Sequence, residues 1–87
     1  MNINFSPRFK RAYKKLPPRI QDDFDKQMKV FMRNPNHPSL KTHKLKGRLQ
    51  ECFVFRLQNG YRVLFDFIAS DSVDLLDAGS HDIYKKR

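Results

Sequence analysis

Residues 52–67 read CFVFRLQNGYRVLFDF. The stretch alternates twice. Phe53, Phe55 and Leu57 alternate with Cys52, Val54 and Arg56, and Tyr61, Val63, Phe65 and Phe67 alternate with Arg62, Leu64 and Asp66. A period of two predicts two strands, each reserving one face for a core. Gln58-Asn59-Gly60 between them predicts a hairpin turn. Parity selects its length. A two-residue Asn-Gly turn pairs Leu57 with Arg62 and sends the two aromatic sets to opposite faces. A three-residue loop pairs Leu57 with Tyr61 and gathers all seven odd-numbered apolar residues on one face, so the longer loop is expected. On the other face, Arg56 and Arg62 become neighbours.

Upstream of the hairpin the period changes. Ser6-Pro7 reads as a helix start, with Ser as N-cap and Pro at the first helical position. Phe9, Ala12, Tyr13 and Leu16 then make an apolar stripe, with Arg8, Lys10, Arg11, Lys14 and Lys15 around it. Pro17-Pro18 ends this helix. A second runs from about Pro18 to Asn34, burying Ile20, Phe24, Met28 and Phe31. Its Asp22–Lys26 and Asp25–Lys29 spacings favour i, i+4 ion pairs. Asn2–Phe5 reads as a short opening strand. NPNHPSLKTHKLKG is a connector that enters a strand near Thr42–Lys46. After the hairpin, Asp71-Ser72 makes a turn and VDLLDAG the last strand. The fold class is α+β in the order β-α-α-β-β-β. A helical hairpin covers one face of a small, mainly antiparallel twisted sheet.

The chain has 87 residues, which predicts one domain spanning 1–87. At this size folding buries roughly 60–65% of the unfolded surface, so the core is one thin layer. Eighteen Lys and Arg against nine Asp and Glu give a net charge of +9. The excess is uneven, at +10 over residues 1–48 and −1 over residues 49–87. Such an imbalance points to a polyanion: nucleic acid, a ribonucleoprotein, an acidic protein or an anionic membrane surface. Cys52 is the only cysteine, so neither an internal disulfide nor a cysteine zinc site is expected. No leader is read in Met1–Phe5 and no run reaches membrane-spanning length, so a cytoplasmic protein is expected.

Like charges directly opposite each other on a sheet are unfavourable. An Arg56–Arg62 pair therefore suggests an anion held between them, since the arginine fork gives bidentate hydrogen bonds to phosphate. The alternative is that both extend into solvent and one reaches Asp66 or Asp74. Lys44 and Lys46, alternating about Leu45, extend the basic surface if their strand is adjacent. The closing segment LLDAGSHDIYKKR adds His81 and Tyr84 just past a strand end. His81 suits proton transfer near neutrality.

KLKG, then CFVFRLQNGYRVLFDF, then LLDAGSHDIY, in this order of elements, resembles the RelE/ParE superfamily of toxins from type II toxin–antitoxin systems. The resemblance is closest to the RelE-type mRNA interferases. It implies metal-free, cofactor-free RNA cleavage on the ribosome, in which the ribose 2′-OH attacks the adjacent phosphate to leave a 2′,3′-cyclic phosphate. Such a site needs a base, cations for the phosphorane charge and an acid. By position the resemblance assigns Arg62 and Arg56 to the cationic role and His81 and Tyr84 to proton transfer, with base and acid left open. Lys44, Lys46, Arg48, Lys85 and Lys86 are the expected RNA-binding residues. Val54 stands where the best-known member has a second catalytic lysine, and the family's longer C-terminal helix is missing. His37 and His43 lie in a connector where some relatives use histidine, without a firm alignment.

Two other functions fit the same fold. One is a non-enzymatic ParE-like inhibitor of DNA gyrase, which does not need the Arg56, Arg62, His81 and Tyr84 set. The other is an inactive module that only regulates through its antitoxin. All three imply a cognate acidic antitoxin in a hetero-oligomer. The first adds ribosome and mRNA as partners.

Overall fold

The computed structural model of the protein describes residues 1–45 and 52–80. The first helix begins as its residue types dictate. Ser6 Oγ accepts a hydrogen bond from Phe9 N at 3.0 Å, and Pro7 occupies the first turn, where its missing N–H costs nothing. Helix α1 (Pro7–Lys15) stops before the Pro17-Pro18 pair, and α2 (Pro18–Arg33) follows at once. The buried stripes are Phe9 and Leu16 on the first helix and its C-cap, and Ile20, Phe24, Met28 and Phe31 on the second. Gln21 Nε2 donates to Tyr13 O at 2.9 Å, and Tyr13 Oη donates to Asp25 at 3.1 Å, tying the elbow.

The expected Asp22–Lys26 and Asp25–Lys29 pairs do not close. The ion pairs among the described residues are the Met1 amino group with Asp71 and Arg8 with Asp77. A solvated lysine gains little from a surface pair, and Asp25 is already engaged by Tyr13.

Five strands form one sheet: β1 (Asn2–Phe5), β2 (His43–Lys44), β3 (Phe53–Arg56), β4 (Arg62–Ala69) and β5 (Ser72–Gly79). Their order is β1-β5-β4-β3-β2, with β1 parallel to β5 and the other neighbours antiparallel. The strand expected near Thr42–Lys46 is present as His43–Lys44, a two-residue ladder on β3, and it brings the strands after the helices to four. The last turn falls at Ser70–Asp71, and Ser72 already pairs with Ala69.

The hairpin takes the three-residue loop that parity demands. Gln58–Gly60 is the loop, Leu57 N donates to Tyr61 O at 2.7 Å, and Arg56 stands opposite Arg62. Asn59 (φ 57°) and Gly60 (φ 78°) both lie in the left-handed region, which these two residue types enter most cheaply. The odd-numbered face packs under the helices. Phe31 is fully buried, with its ring 5.3 Å from Phe55 and 5.0 Å from Phe65. Between Leu64 and Phe65 the register of β5 slips from Asp77 to Leu75, two residues against one. Such an irregularity re-aims the strand beyond it, and here that strand carries Asp77, Ala78 and Gly79.

Candidate functional site

Strand pairing builds the site. Arg56, Arg62 and Gly79 form one cross-strand row at the hairpin end of the sheet. The next row on the same face is His43, Val54 and Leu64, in register across β2, β3 and β4. Val54 and Leu64 are fully buried. The row beside the arginines thus holds two apolar side chains closed to solvent, with His43 as its exposed member.

Arg56 and Arg62 open onto a cleft of about 570 Å³ between the hairpin, α2 and the connector. Lys26 and Lys41 line it too, against one carboxylate, Asp23. That carboxylate is occupied, since Asp23 Oδ2 accepts from Gln58 N at 2.9 Å and anchors the hairpin turn to α2. Lys41 reaches the lip from a left-handed backbone (φ 51°, ψ 42°), a costly conformation for a residue with a Cβ. Four cations converge around one small cleft, and a polyanion is the ligand that relieves their mutual repulsion.

The residues expected from sequence are distributed as follows. Arg56 and Arg62 are brought together. Neither Asp66 nor Asp74 pairs with Arg56; Asp74 instead accepts from Asn4 Nδ2 at 2.6 Å. Lys44 lies on the adjacent strand but in register with Phe53, hence on the face opposite the arginine row. His81, Tyr84, Lys46, Arg48, Lys85 and Lys86 lie outside the described residues. His37 Nδ1 accepts from Ser39 N at 3.1 Å and caps the 3₁₀ turn Pro38–Leu40, a structural task.

His43 is the residue whose placement spacing could not give. It is exposed and shares the face of the arginine row. Its Nδ1 lies 3.3 Å from Lys41 O, a contact that calls for hydrogen on Nδ1 and leaves Nε2 as the basic nitrogen. Its signal in the sequence was only that it lies in a connector where some relatives use histidine. The register of β2 on β3 turns that into a position on the site. Among the described residues no group of three or more His, Cys, Asp or Glu could hold a metal ion, and no helix is long and apolar enough to cross a membrane.

A short basic chain with a helical hairpin on a small, mainly antiparallel sheet is the architecture expected of the RelE/ParE toxins. The ParE-like toxin of type II bacterial toxin–antitoxin systems matches residues 3–86, and the chain belongs to that family. Solved structures share its fold. YafQ from E. coli superposes with a TM-score of 0.79 at 14% identity, covering 95% of this chain and 96% of that one. The YoeB/ParE toxin from Agrobacterium tumefaciens gives 0.78 at 15% identity, over 93% and 99%. The toxin–antitoxin complex RelBE2 from Mycobacterium tuberculosis gives 0.75 at 23% identity, over 92% and 96%. No curated protein sequence matches.

Proposed function

We propose that this toxin is an endoribonuclease that cuts mRNA on the ribosome. The observation that carries the reading is the Arg56–Arg62 cross-strand pair beside a cleft that also holds Lys26 and Lys41. Two guanidinium groups on one face match the non-bridging oxygens of a phosphodiester, and their charge acts most strongly on the phosphorane as it forms. A base takes the proton from the ribose 2′-OH, and the 2′ oxygen attacks the adjacent phosphorus. The bond from phosphorus to the 5′ oxygen breaks, and an acid protonates that oxygen. The products are a 2′,3′-cyclic phosphate and a 5′-hydroxyl end. His81 and Tyr84 are the proposed proton-transfer pair, and His43 is a third candidate, with its basic nitrogen on the same face as the arginines. Lys44, Lys46, Arg48, Lys85 and Lys86 are proposed to contact RNA outside the reacting phosphate. So sparse a site suits a substrate whose geometry is supplied largely by the ribosome.

The proposed partner that silences the toxin is an acidic antitoxin; RelBE2, which shares the fold, is a toxin–antitoxin complex. Two features support it. The net charge is +9, and an apolar groove lined by Phe5, Phe9, Tyr13 and Phe24 carries Lys10 and Lys14 against one carboxylate, Asp25, which Tyr13 engages. An acidic, amphipathic segment fits that groove.

The test is cleavage of a translated mRNA with and without ribosomes, by wild type, Arg62→Ala and His81→Ala. Ribosome-dependent cutting that both substitutions abolish is expected. Equal cutting by all three proteins would remove the proposed site. Intact mRNA with inhibited gyrase supercoiling would reassign the toxin to the gyrase-poisoning class.

A further inference from the structure

A second basic cleft lies on the other side of the hairpin turn. It measures about 490 Å³ and runs between α1 and the end of β5. Arg8, Arg11 and Lys15 line it from the helix, and Tyr61, Gly79 and Ser80 from the sheet. The three cations stand at i, i+3 and i+7, so they share one stripe of α1. From Arg8 to Lys15 that stripe extends about 10 Å at 1.5 Å per residue, the length of about three stacked nucleotides.

The cleft contains a carboxylate that the proposed cleavage chemistry does not use. Asp77 is only 4% exposed, and its Oδ2 lies 3.2 Å from Arg8 Nε. The contact is ionic rather than a well-directed hydrogen bond, because Oδ2 has no hydrogen-bond partner, while Oδ1 accepts from Ala78 N at 2.9 Å. A buried carboxylate is costly unless it is paired and hydrogen-bonded. Here it holds Arg8 through Nε and leaves the terminal guanidinium nitrogens for a ligand. Arg11 and Lys15 are exposed and have no ion-pair partner among the described residues.

The cleft ends beside the arginine row, at the sheet end where Tyr61 and Arg62 turn to opposite faces. Tyr61 lines it and is the chain neighbour of Arg62, and Gly79 lines it and pairs with Arg62. A chain crossing the end of the sheet therefore passes from one cleft to the other around the Gln58–Gly60 turn. Cations beside an aromatic ring are the arrangement that binds single-stranded nucleic acid, with charge tracking the backbone and the ring stacking a base. Tyr61 is half-buried against the core and lines the cleft with the rest of its ring, a surface that a base can stack on and an acidic peptide does not require. From this juxtaposition we infer that the α1 cleft is a second subsite for single-stranded RNA, holding the segment that flanks the phosphate at Arg56 and Arg62. The inference rests on the reading that this toxin acts on RNA.

The test uses binding rather than cleavage, so it is separable from that reading. The probe is a fluorescein-labelled, fully 2′-O-methylated oligouridine, which cannot be cut by 2′-OH attack. Its Kd for the full chain is followed by anisotropy between about 50 and about 200 mM salt. Arg11→Ala/Lys15→Ala is expected to weaken binding and to lower the slope of log affinity against log salt by about 1.4, or about 0.7 for each phosphate no longer neutralised. Tyr61→Leu, which keeps an apolar side chain, is expected to weaken binding about fivefold or more and leave the slope unchanged. Lys29→Ala/Arg33→Ala removes the same charge from α2, away from both clefts, and controls for bulk electrostatics. Circular dichroism confirms that each variant is folded. An equal slope change in the α2 control, or a wild type that does not bind the probe, overturns the subsite. So does a double variant that binds RNA normally but has reduced affinity for an acidic partner, which would make the cleft a protein-binding surface. If mRNA cleavage fails while these binding results hold, the catalytic reading falls and the subsite stands.

Discussion

Arg56→Gln isolates the cost of placing two arginines side by side. The substitution keeps a polar side chain of partial length and removes one charge from the Arg56–Arg62 pair. Directly opposed residues have Cβ atoms about 5 Å apart, which puts the charged groups roughly 7 Å apart when the side chains diverge. Two unit charges at that distance repel by about 0.6 kcal/mol in a water-like dielectric. Screening over about 8 Å at physiological salt leaves about 0.25 kcal/mol. Arg56 is exposed, so the water-like figure is the appropriate one. In a domain of this size, relief of that repulsion raises Tm by about 1–2 °C. An anion reverses the order. Inorganic phosphate at ten times its Kd stabilises the wild type by about 1.4 kcal/mol, or about 6–11 °C, and stabilises the variant far less. The assay is a thermal melt of both proteins in chloride and in phosphate at matched ionic strength. The expected result is a crossover: Arg56→Gln melts higher in chloride and lower in phosphate. If the variant melts lower in chloride, Arg56 contributes to the fold. If phosphate lifts both proteins equally, the pair does not clamp an anion. Either outcome refutes the reasoning.

Three further outcomes follow from the packing and the turn. Phe31→Ala empties the centre of the layer between α2 and the Phe55 and Phe65 rings and is expected to cost about 3–5 kcal/mol, read as a lowered urea midpoint. Gly60→Ala meets no heavy atom within 4 Å, so its expected cost of about 1 kcal/mol comes from φ +78° alone, and a loss above about 3 kcal/mol would show a clash instead. Burial, and then its hydrogen bond to Asp25, push the Tyr13 phenol above 10.0. A raised pKa in the folded state means that this stabilisation is complete below pH ~10 and is lost as pH rises through the folded value. Tyr13→Phe should therefore flatten the alkaline limb of the stability profile without changing its shape near neutrality.

The hairpin was legible because its evidence is local. Alternation, an Asn-Gly pair and the requirement that seven apolar side chains share a face leave one loop length, and the Arg56–Arg62 pair follows from it. The start of α1 was legible for the same reason, since Ser6 needs only Phe9 N to act as a cap. The helical ion pairs were not legible. Spacing shows that Asp25 can reach Lys29, but Tyr13 on the other helix competes for it, and that competition exists only after the elbow closes.

What the sequence by itself determined is the α+β class, the helical hairpin, the turn and the neighbouring arginines, because each rests on periodicity or on residues a few positions apart. What only the tertiary structure decided is how distant pieces meet. The parallel pairing of β1 with β5, the face on which β2 presents His43 and Lys44, the convergence of Lys26 and Lys41 on the arginine cleft, and the burial of Asp77 against Arg8 are of this kind. None has a local signature. A strand's register on a distant partner is set by how the whole layer packs, and a one-residue slip would turn every one of its side chains to the other face.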